Sequence, residues 1–183
     1  MDENENIQVE ESKLKEFKFG DIILSAPIKN NILSHLIKLR IHNWTHSRIM
    51  INNFEFIEVI PYYGVRISNL NNLIKFKNRY KWILLRLVRP LTEIEKGRML
   101  HVLFKQIGKK YNYLAYLKLF YNINKKHQNK WFCFELIIKT YKNAGIYLYP
   151  NRKYFISLDF EKSNLLQSVD LLVAGRYFPF ILQ

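Results

Sequence analysis

Apolar and polar positions change rhythm several times along this chain, and each change marks an element. Residues 1–12 (MDENENIQVEES) hold only three apolar side chains, with five acids and no bases, and read as a disordered acidic tail. Phe19-Gly20-Asp21 reads as a turn ahead of Ile22-Ile23-Leu24, an apolar run suited to a short buried strand. Over residues 28–41, Ile28, Ile32, Leu36 and Leu39 recur near helical spacing and predict a helix. Ser47–Ile51 and Phe54–Ile60 read as strands. The Asn52-Asn53 pair between them suits a tight hairpin turn, because Asn tolerates positive φ. Pro61 ends the second strand, and Val65–Ile67 and Trp82–Val88 add two more.

The period turns helical again at Thr92. Thr92 and Glu95 stand as N-cap and N3 of a capping box. Leu100, Leu103, Phe104 and Ile107 are expected on one apolar face, with Gly108 as the C-cap. Residues 111–121 are aromatic-rich and fit a helix or a loop, and Asn122–Lys130 reads as a polar, basic loop. A second helix is expected near Trp131, with Phe132, Leu136, Ile137, Tyr141 and Ala144 on one face and Gly145 closing it. Strand signals in 146–183 are scattered. There is no internal repeat or linker, so the expected organisation is the tail followed by one domain over 13–183.

Composition adds two constraints. At 183 residues and 49% apolar, the chain can bury a core without disulfides or a structural metal. Lys and Arg number 29 against 15 acids, a net charge of +14, and five of the acids lie in residues 1–12. The remainder therefore carries 29 − 10 = +19, a body expected to attract phosphates, anionic headgroups or acidic polymers. Two basic runs are interleaved with aromatics: Lys75, Lys77, Arg79 and Lys81 with Phe76 and Tyr80, and Lys125, Lys126 and Lys130 beside Trp131. Either could grip a lipid surface or single-stranded nucleic acid, or form a solvated face. No nucleic-acid signature accompanies them.

The lone cysteine, Cys133, rules out an intrachain disulfide, a zinc ribbon and a CxxC redox pair. The acidic N-terminus lacks an apolar core of the secretory kind, and no uncharged apolar run reaches roughly 18 residues. The expectation is a soluble, cytoplasmic protein.

Cys133 also has chemistry available to it. The first turn of its expected helix presents free N–H groups and a positive dipole end, which favour a thiolate. The alternative is a small buried hydrophobe. A thiol nucleophile needs a base, and the histidines are His35, His42, His46, His101 and His127. His42 and His46 have the spacing of metal ligands on a helix, but Asn43-Trp44-Thr45 gives no helical signal and no HExxH is present, so no metal is expected. Glu58 follows His46 by twelve residues across the expected hairpin. An odd-numbered turn would put the two on one face, whereas a two-residue turn would separate them.

Several segments, taken in order, resemble one family. Gly20-Asp21-Ile22-Ile23-Leu24 resembles the "GDIIL" opening of permuted NlpC-type papain-like proteins. Trp44-Thr45-His46-Ser47-Arg48-Ile49 is similar to their "wTHvgI" motif, and Phe56-Ile57-Glu58 to their "viEa" strand. Trp131-Phe132-Cys133-Phe134-Glu135-Leu136, running on to Tyr141-Lys142-Asn143-Ala144-Gly145-Ile146, resembles "yCSELv…YknAGI". Ile107 to Tyr113 resembles "G.pYD". The resemblance covers about residues 18–147 and leaves 148–183 unmatched. Relatives of this kind include YiiX-like and poxvirus proteins and, more distantly, lecithin:retinol acyltransferase-like enzymes.

The resemblance implies an α+β, circularly permuted papain-like fold, with an antiparallel sheet or small barrel packed on the Cys-bearing helix. It implies Cys133 as nucleophile, His46 as general base and Glu58 as the group orienting the imidazole. Trp44, Tyr111 and Phe134 become candidate substrate-binding residues. No cofactor or metal is implied. Two departures stand out: Phe134 replaces the usual small residue after the cysteine, and Asn112 the usual Asp. The expected activity is hydrolysis of a small amide or acyl substrate. Alternatives are lipid acyl hydrolysis or transfer at an anionic membrane, a non-catalytic basic binding module, or the same fold with an inactive site.

Overall fold

The computed structural model describes residues 17–28, 44–75, 77–114, 129–148, 157–169, 172–173 and 176–177. The expected acidic tail, the helix over 28–41 beyond Ile28, and most of the 111–130 segment lie outside these residues.

The central feature is a six-stranded sheet. In chain order its strands are β1 (Ile22–Pro27), β2 (His46–Met50), β3 (Glu55–Ile60), β4 (Gly64–Asn69), β5 (Tyr80–Leu87) and, past two short strands, β8 (Leu166–Val169). Their spatial order is β4-β3-β2-β1-β5-β8, and every pairing is antiparallel. The sheet is open, with β4 and β8 at its edges, so the small-barrel alternative does not form. The fold is α+β.

Alternation within the strands loads both faces. Ile22, Leu24, Ile49, Ile57, Val59 and Leu85 point to one side, where they join the larger core with the helices. Ile23, Met50, Phe56 and Leu84 point to the other, where Phe17 and the short helix α1 (Leu70–Ile74) cover them through Leu70 and Leu73. The larger core is completed by α2 (Glu93–Gln106) and α3 (Cys133–Asn143).

The capping box of α2 forms as expected: Thr92 Oγ1 accepts from Glu95 N–H at 3.2 Å, and Glu95 Oε2 accepts from Thr92 N–H at 2.9 Å. Its buried stripe is rotated from the expected one. Met99, Val102, Leu103 and Gln106 face inward, while Phe104 is 49% exposed and Ile107 39%. In α3, Leu136, Ile137, Tyr141 and Ala144 are buried as expected. Each large side chain buried there is worth roughly 1.5–3 kcal/mol. Tyr141 Oη also donates to the carbonyl of Gly20, tying α3 to the turn before β1. Beside that turn, buried Asp21 accepts two hydrogen bonds from Arg86 at 2.8 and 2.7 Å, joining β1 to β5.

Two short parallel strands, β6 (Lys110–Tyr111) and β7 (Lys130–Trp131), bring Tyr111 beside the start of α3. Described residues from 146 onward join this core, among them Ile146, Leu148, Phe160 and Leu166. The helix α4 (Ser157–Glu161) inserts Phe160, and β8 extends the sheet. The remaining short strands, β9 (Leu172–Val173) and β10 (Arg176–Tyr177), pair with each other. No helix among the described residues is long and apolar enough to cross a membrane.

Gly64 opens β4 with φ +71. A Cβ there would stand 2.0 Å from the carbonyl oxygen of Lys109, which already accepts from Val65 N–H at 2.8 Å. Gly64→Ala should therefore cost more than about 1 kcal/mol, read as a lower urea midpoint. An unchanged midpoint would show that the β4–β6 contact yields freely.

Candidate active site

The hairpin between β2 and β3 decides which side chains meet. Arg48 pairs directly with Glu58, so His46 lies diagonal to Glu58 on the same face. Ile51 N–H donates to Glu55 O at 2.9 Å, leaving Asn52, Asn53 and Phe54 as a three-residue turn. This corrects the two-residue Asn-Asn turn. Asn52 does not act through positive φ; Tyr62 is the described non-glycine residue with that conformation. Instead Asn52 Oδ1 accepts from the N–H groups of Phe54 and Glu55, at 2.8 and 2.7 Å. The odd turn meets the condition for His46 and Glu58 to share a face.

His46 Nε2 lies 3.2 Å from Glu58 Oε2. An ionised carboxylate only accepts, so Nε2 carries the proton, and in the neutral ring Nδ1 holds the lone pair. Glu58 has two further partners. Arg48 Nε donates to the same Oε2 at 3.1 Å, and Arg66 donates Nε and Nη2 to Oε1 at 3.0 and 2.8 Å. Burial would raise the Glu58 carboxyl, but the His46 hydrogen bond and the arginines outweigh it and hold it at about 2. Burial, followed by the Arg48 charge, lowers His46 to about 4 despite its bond to Glu58. One carboxylate faces two guanidiniums, so the cluster is positive even with a neutral imidazole.

Cys133 is the first residue of α3. Its N-cap, Phe132, offers no side-chain acceptor to the first-turn N–H groups. Glu135 instead reaches back to accept from Phe132 N–H at 3.2 Å, a capping role. Cys133 is 1% exposed. Burial pushes its thiol up to about 11, opposed by the Ser47 hydroxyl and backbone, the Phe134 N–H and the Arg48 charge. The thiol thus meets β2 at Ser47, whose position faces the opposite side of the sheet from His46, so the strand register does not bring Cys133 together with the His46–Glu58 pair. Ser47 Oγ makes no well-formed hydrogen bond among the described residues. Thiol and imidazole are both neutral near pH 7, and His46 gives its hydrogen bond to Glu58 rather than to Cys133.

The other candidate residues surround this centre. Trp44 is buried, with Lys81 Nζ 5.0 Å above its ring. Tyr111 packs edge-on against Phe132 at 6.3 Å. Phe134 is fully buried between Phe132 and Phe160, with ring separations of 5.5 and 5.6 Å. Sequence reasoning missed Ser25, Ser47, Arg48 and Arg66. Strand parity could have found two of them: Arg48 is two residues from His46, and Arg66 is the register partner of Glu58. Among the described residues no cluster of three or more His, Cys, Asp or Glu side chains could hold a metal ion.

An open antiparallel sheet against a helix that begins on a cysteine, with the cysteine last in chain order, is a permuted papain-like frame. The chain belongs to the family of permuted papain-like amidase enzymes, the YaeF/YiiX, C92 family, whose model matches residues 16–168. Among solved structures it is similar to the metalloprotein yiiX from Escherichia coli O157:H7. The TM-score is 0.64 at 17% identity, over 83% of this chain and 96% of that one. Among curated proteins, no sequence matches it. The family and fold make the chain peptidase-like, a thiol hydrolase at the coarse level.

Proposed function

We propose that this protein hydrolyses an amide bond of a peptide or amino-acid amide through Cys133, His46 and Glu58. The observation that carries the reading is the His46–Glu58 hydrogen bond, which leaves Nδ1 as a free base. The thiol meets β2 at Ser47, on the opposite face of that strand, so the reaction requires His46 to turn toward Cys133. Cys133 leaves its contact with Ser47 and passes its proton to Nδ1 as Sγ attacks the substrate carbonyl carbon. The oxyanion is held by the N–H of Cys133 at the start of α3. His46 returns the proton to the departing amine, the C–N bond breaks, and a thioester to Cys133 remains. Water then attacks the thioester carbonyl, giving its proton to His46. The acid departs as Sγ is reprotonated. Glu58 keeps the tautomer fixed throughout.

One observation favours a second acyl class. Tyr62, Tyr63 and Tyr113 are 94%, 70% and 52% exposed on a basic protein, which suits apolar chains at an anionic surface.

The test pairs aminoacyl p-nitroanilides with p-nitrophenyl esters of increasing chain length, in wild type and Cys133→Ala. Turnover should vanish in the variant, and mass spectrometry of quenched wild type should find the acyl mass on the Cys133 peptide. Persistent turnover in Cys133→Ala would sink the mechanism. Hydrolysis of long-chain esters alone would move the substrate from amides to lipids.

A further inference from the structure

The proposed triad accounts for His46 and Glu58, but not for Arg48, which ties the Glu58 carboxylate to the neighbouring strand. Arg48 Nε donates to Glu58 Oε2 at 3.1 Å, the oxygen that His46 also engages. Its Nη1 donates to Ser25 Oγ at 2.7 Å, on the neighbouring strand β1. Its guanidinium lies 5.7 Å from the centre of the Phe56 ring. The side chain is 15% exposed. Arg66, by contrast, holds the other carboxylate oxygen and is 41% exposed.

Resting on the Cys133–His46–Glu58 reading, we propose that Arg48 is a positioning residue: its guanidinium fork fixes the Glu58 carboxylate against β1 and sets a permanent cation beside the imidazole. The fork does two things that a solvent-facing arginine would not. By sharing Oε2 it limits how far Glu58 can stabilise a protonated His46, so the ring stays a free base at neutral pH. From the opposite face of β2 its charge also favours the Cys133 thiolate, offsetting part of the penalty of burial. Each effect helps a buried thiol that must lose its proton at the moment of attack.

The charged groups that act on the imidazole come from three strands, Arg48 on β2, Glu58 on β3 and Arg66 on β4, while Cys133 of α3 acts on Arg48. Tyr80 of β5 acts through Arg48. Their separate effects can be told apart by direction. Removing the Arg48 cation should raise both titrations, His46 because a repelling charge is gone and Cys133 because an attracting one is gone. Loosening of the fold would also raise His46, but it would lower the thiol toward its ordinary value as burial is lost.

The experiment follows His46 by proton–carbon NMR, assigned against His46→Ala. It follows Cys133 by a carbon-13 label on its Cβ, unambiguous because the chain has one cysteine. Both are titrated in wild type, Arg48→Met and Arg48→Lys. Arg48→Met should move both midpoints up by about one unit, and Arg48→Lys, which keeps the charge, should leave the thiol near wild type. Unmoved midpoints in Arg48→Met would overturn the proposal. So would a thiol midpoint that falls, or a Lys variant indistinguishable from Met. These readouts are titrations rather than turnover. A wild type that hydrolyses nothing while its midpoints move as stated would end the amidase reading and leave the Arg48 inference standing.

Discussion

Replacing His46 with Ala should lower the rate of acyl transfer by about 10²–10⁴-fold, the usual contribution of a positioned general base. The pH profile should then separate this site from a thiolate–imidazolium pair. In an ion pair the active form exists between a low thiol pKa and a higher imidazole pKa, and activity falls off on both sides. Here the order is reversed, with His46 at about 4 and Cys133 at about 11. The active form is then a neutral base beside a neutral thiol. kcat/KM should rise as His46 loses its proton, with an apparent midpoint near 4, and stay level through neutrality. In His46→Ala that acidic limb should disappear with the bulk of the rate. A bell centred near neutral pH would show that thiol and imidazole exchange their proton in the free enzyme. An intact acidic limb in His46→Ala would assign it to another group.

Much of this arrangement was legible in the sequence, and what was not has identifiable causes. Helix α3 could be read because its apolar side chains recur at one spacing and Gly145, at φ +83, ends it. Helix α2 carries two overlapping stripes, 99/102/103/106 and 100/103/104/107, one residue apart around the helix. Apolar content favours the second. The structure buries the first because Gln106 Oε1 accepts from Trp131 Nε1 at 3.0 Å, while Gln106 Nε2 donates to Val102 O at 3.2 Å. A polar residue with partners replaces an apolar one, and no periodicity shows that.

The hairpin shows a similar limit. Its parity could be reasoned about but not decided, since Asn52-Asn53 fits a two-residue turn by conformation and a three-residue turn by side-chain hydrogen bonding. The geometry follows the second, and with it comes the meeting of His46 and Glu58. The arginines were hidden for a different reason. Charged residues alternating with apolar ones along a strand read as its solvent face, and here that face carries a buried acid whose partners they are. The resemblance located Cys133, His46 and Glu58; the ladder register shows what surrounds them.

That surrounding charge makes Glu58 a sensitive position for stability. Glu58→Ala would leave Arg48, largely buried, and Arg66 facing each other without their shared carboxylate. Removing one partner of a buried ion pair typically costs about 3–5 kcal/mol, chiefly because the remaining charge stays desolvated and unpaired. A large drop in urea midpoint is therefore expected. Glu58→Ala combined with Arg48→Met should recover part of it, since the double variant strands one cation fewer. The pH dependence gives an independent check of sign. The folded-state carboxyl of Glu58 is depressed to about 2 from 4.5. Its stabilisation is fully present above the unfolded value and is lost as pH falls through the folded one. His46, held near 4, adds to the same trend, because below about 6.5 the unfolded chain takes up a proton that the folded ring refuses. Wild-type stability should fall on acidification from roughly pH 6.5 downward, and between about 4.5 and 2 it should fall less steeply in Glu58→Ala. Equal slopes in that lower window would mean that the Glu58 carboxylate is not held by its neighbours. The double variant being weaker than Glu58→Ala alone would mean that Arg48 stabilises the fold through Ser25 and Phe56 rather than through the acid.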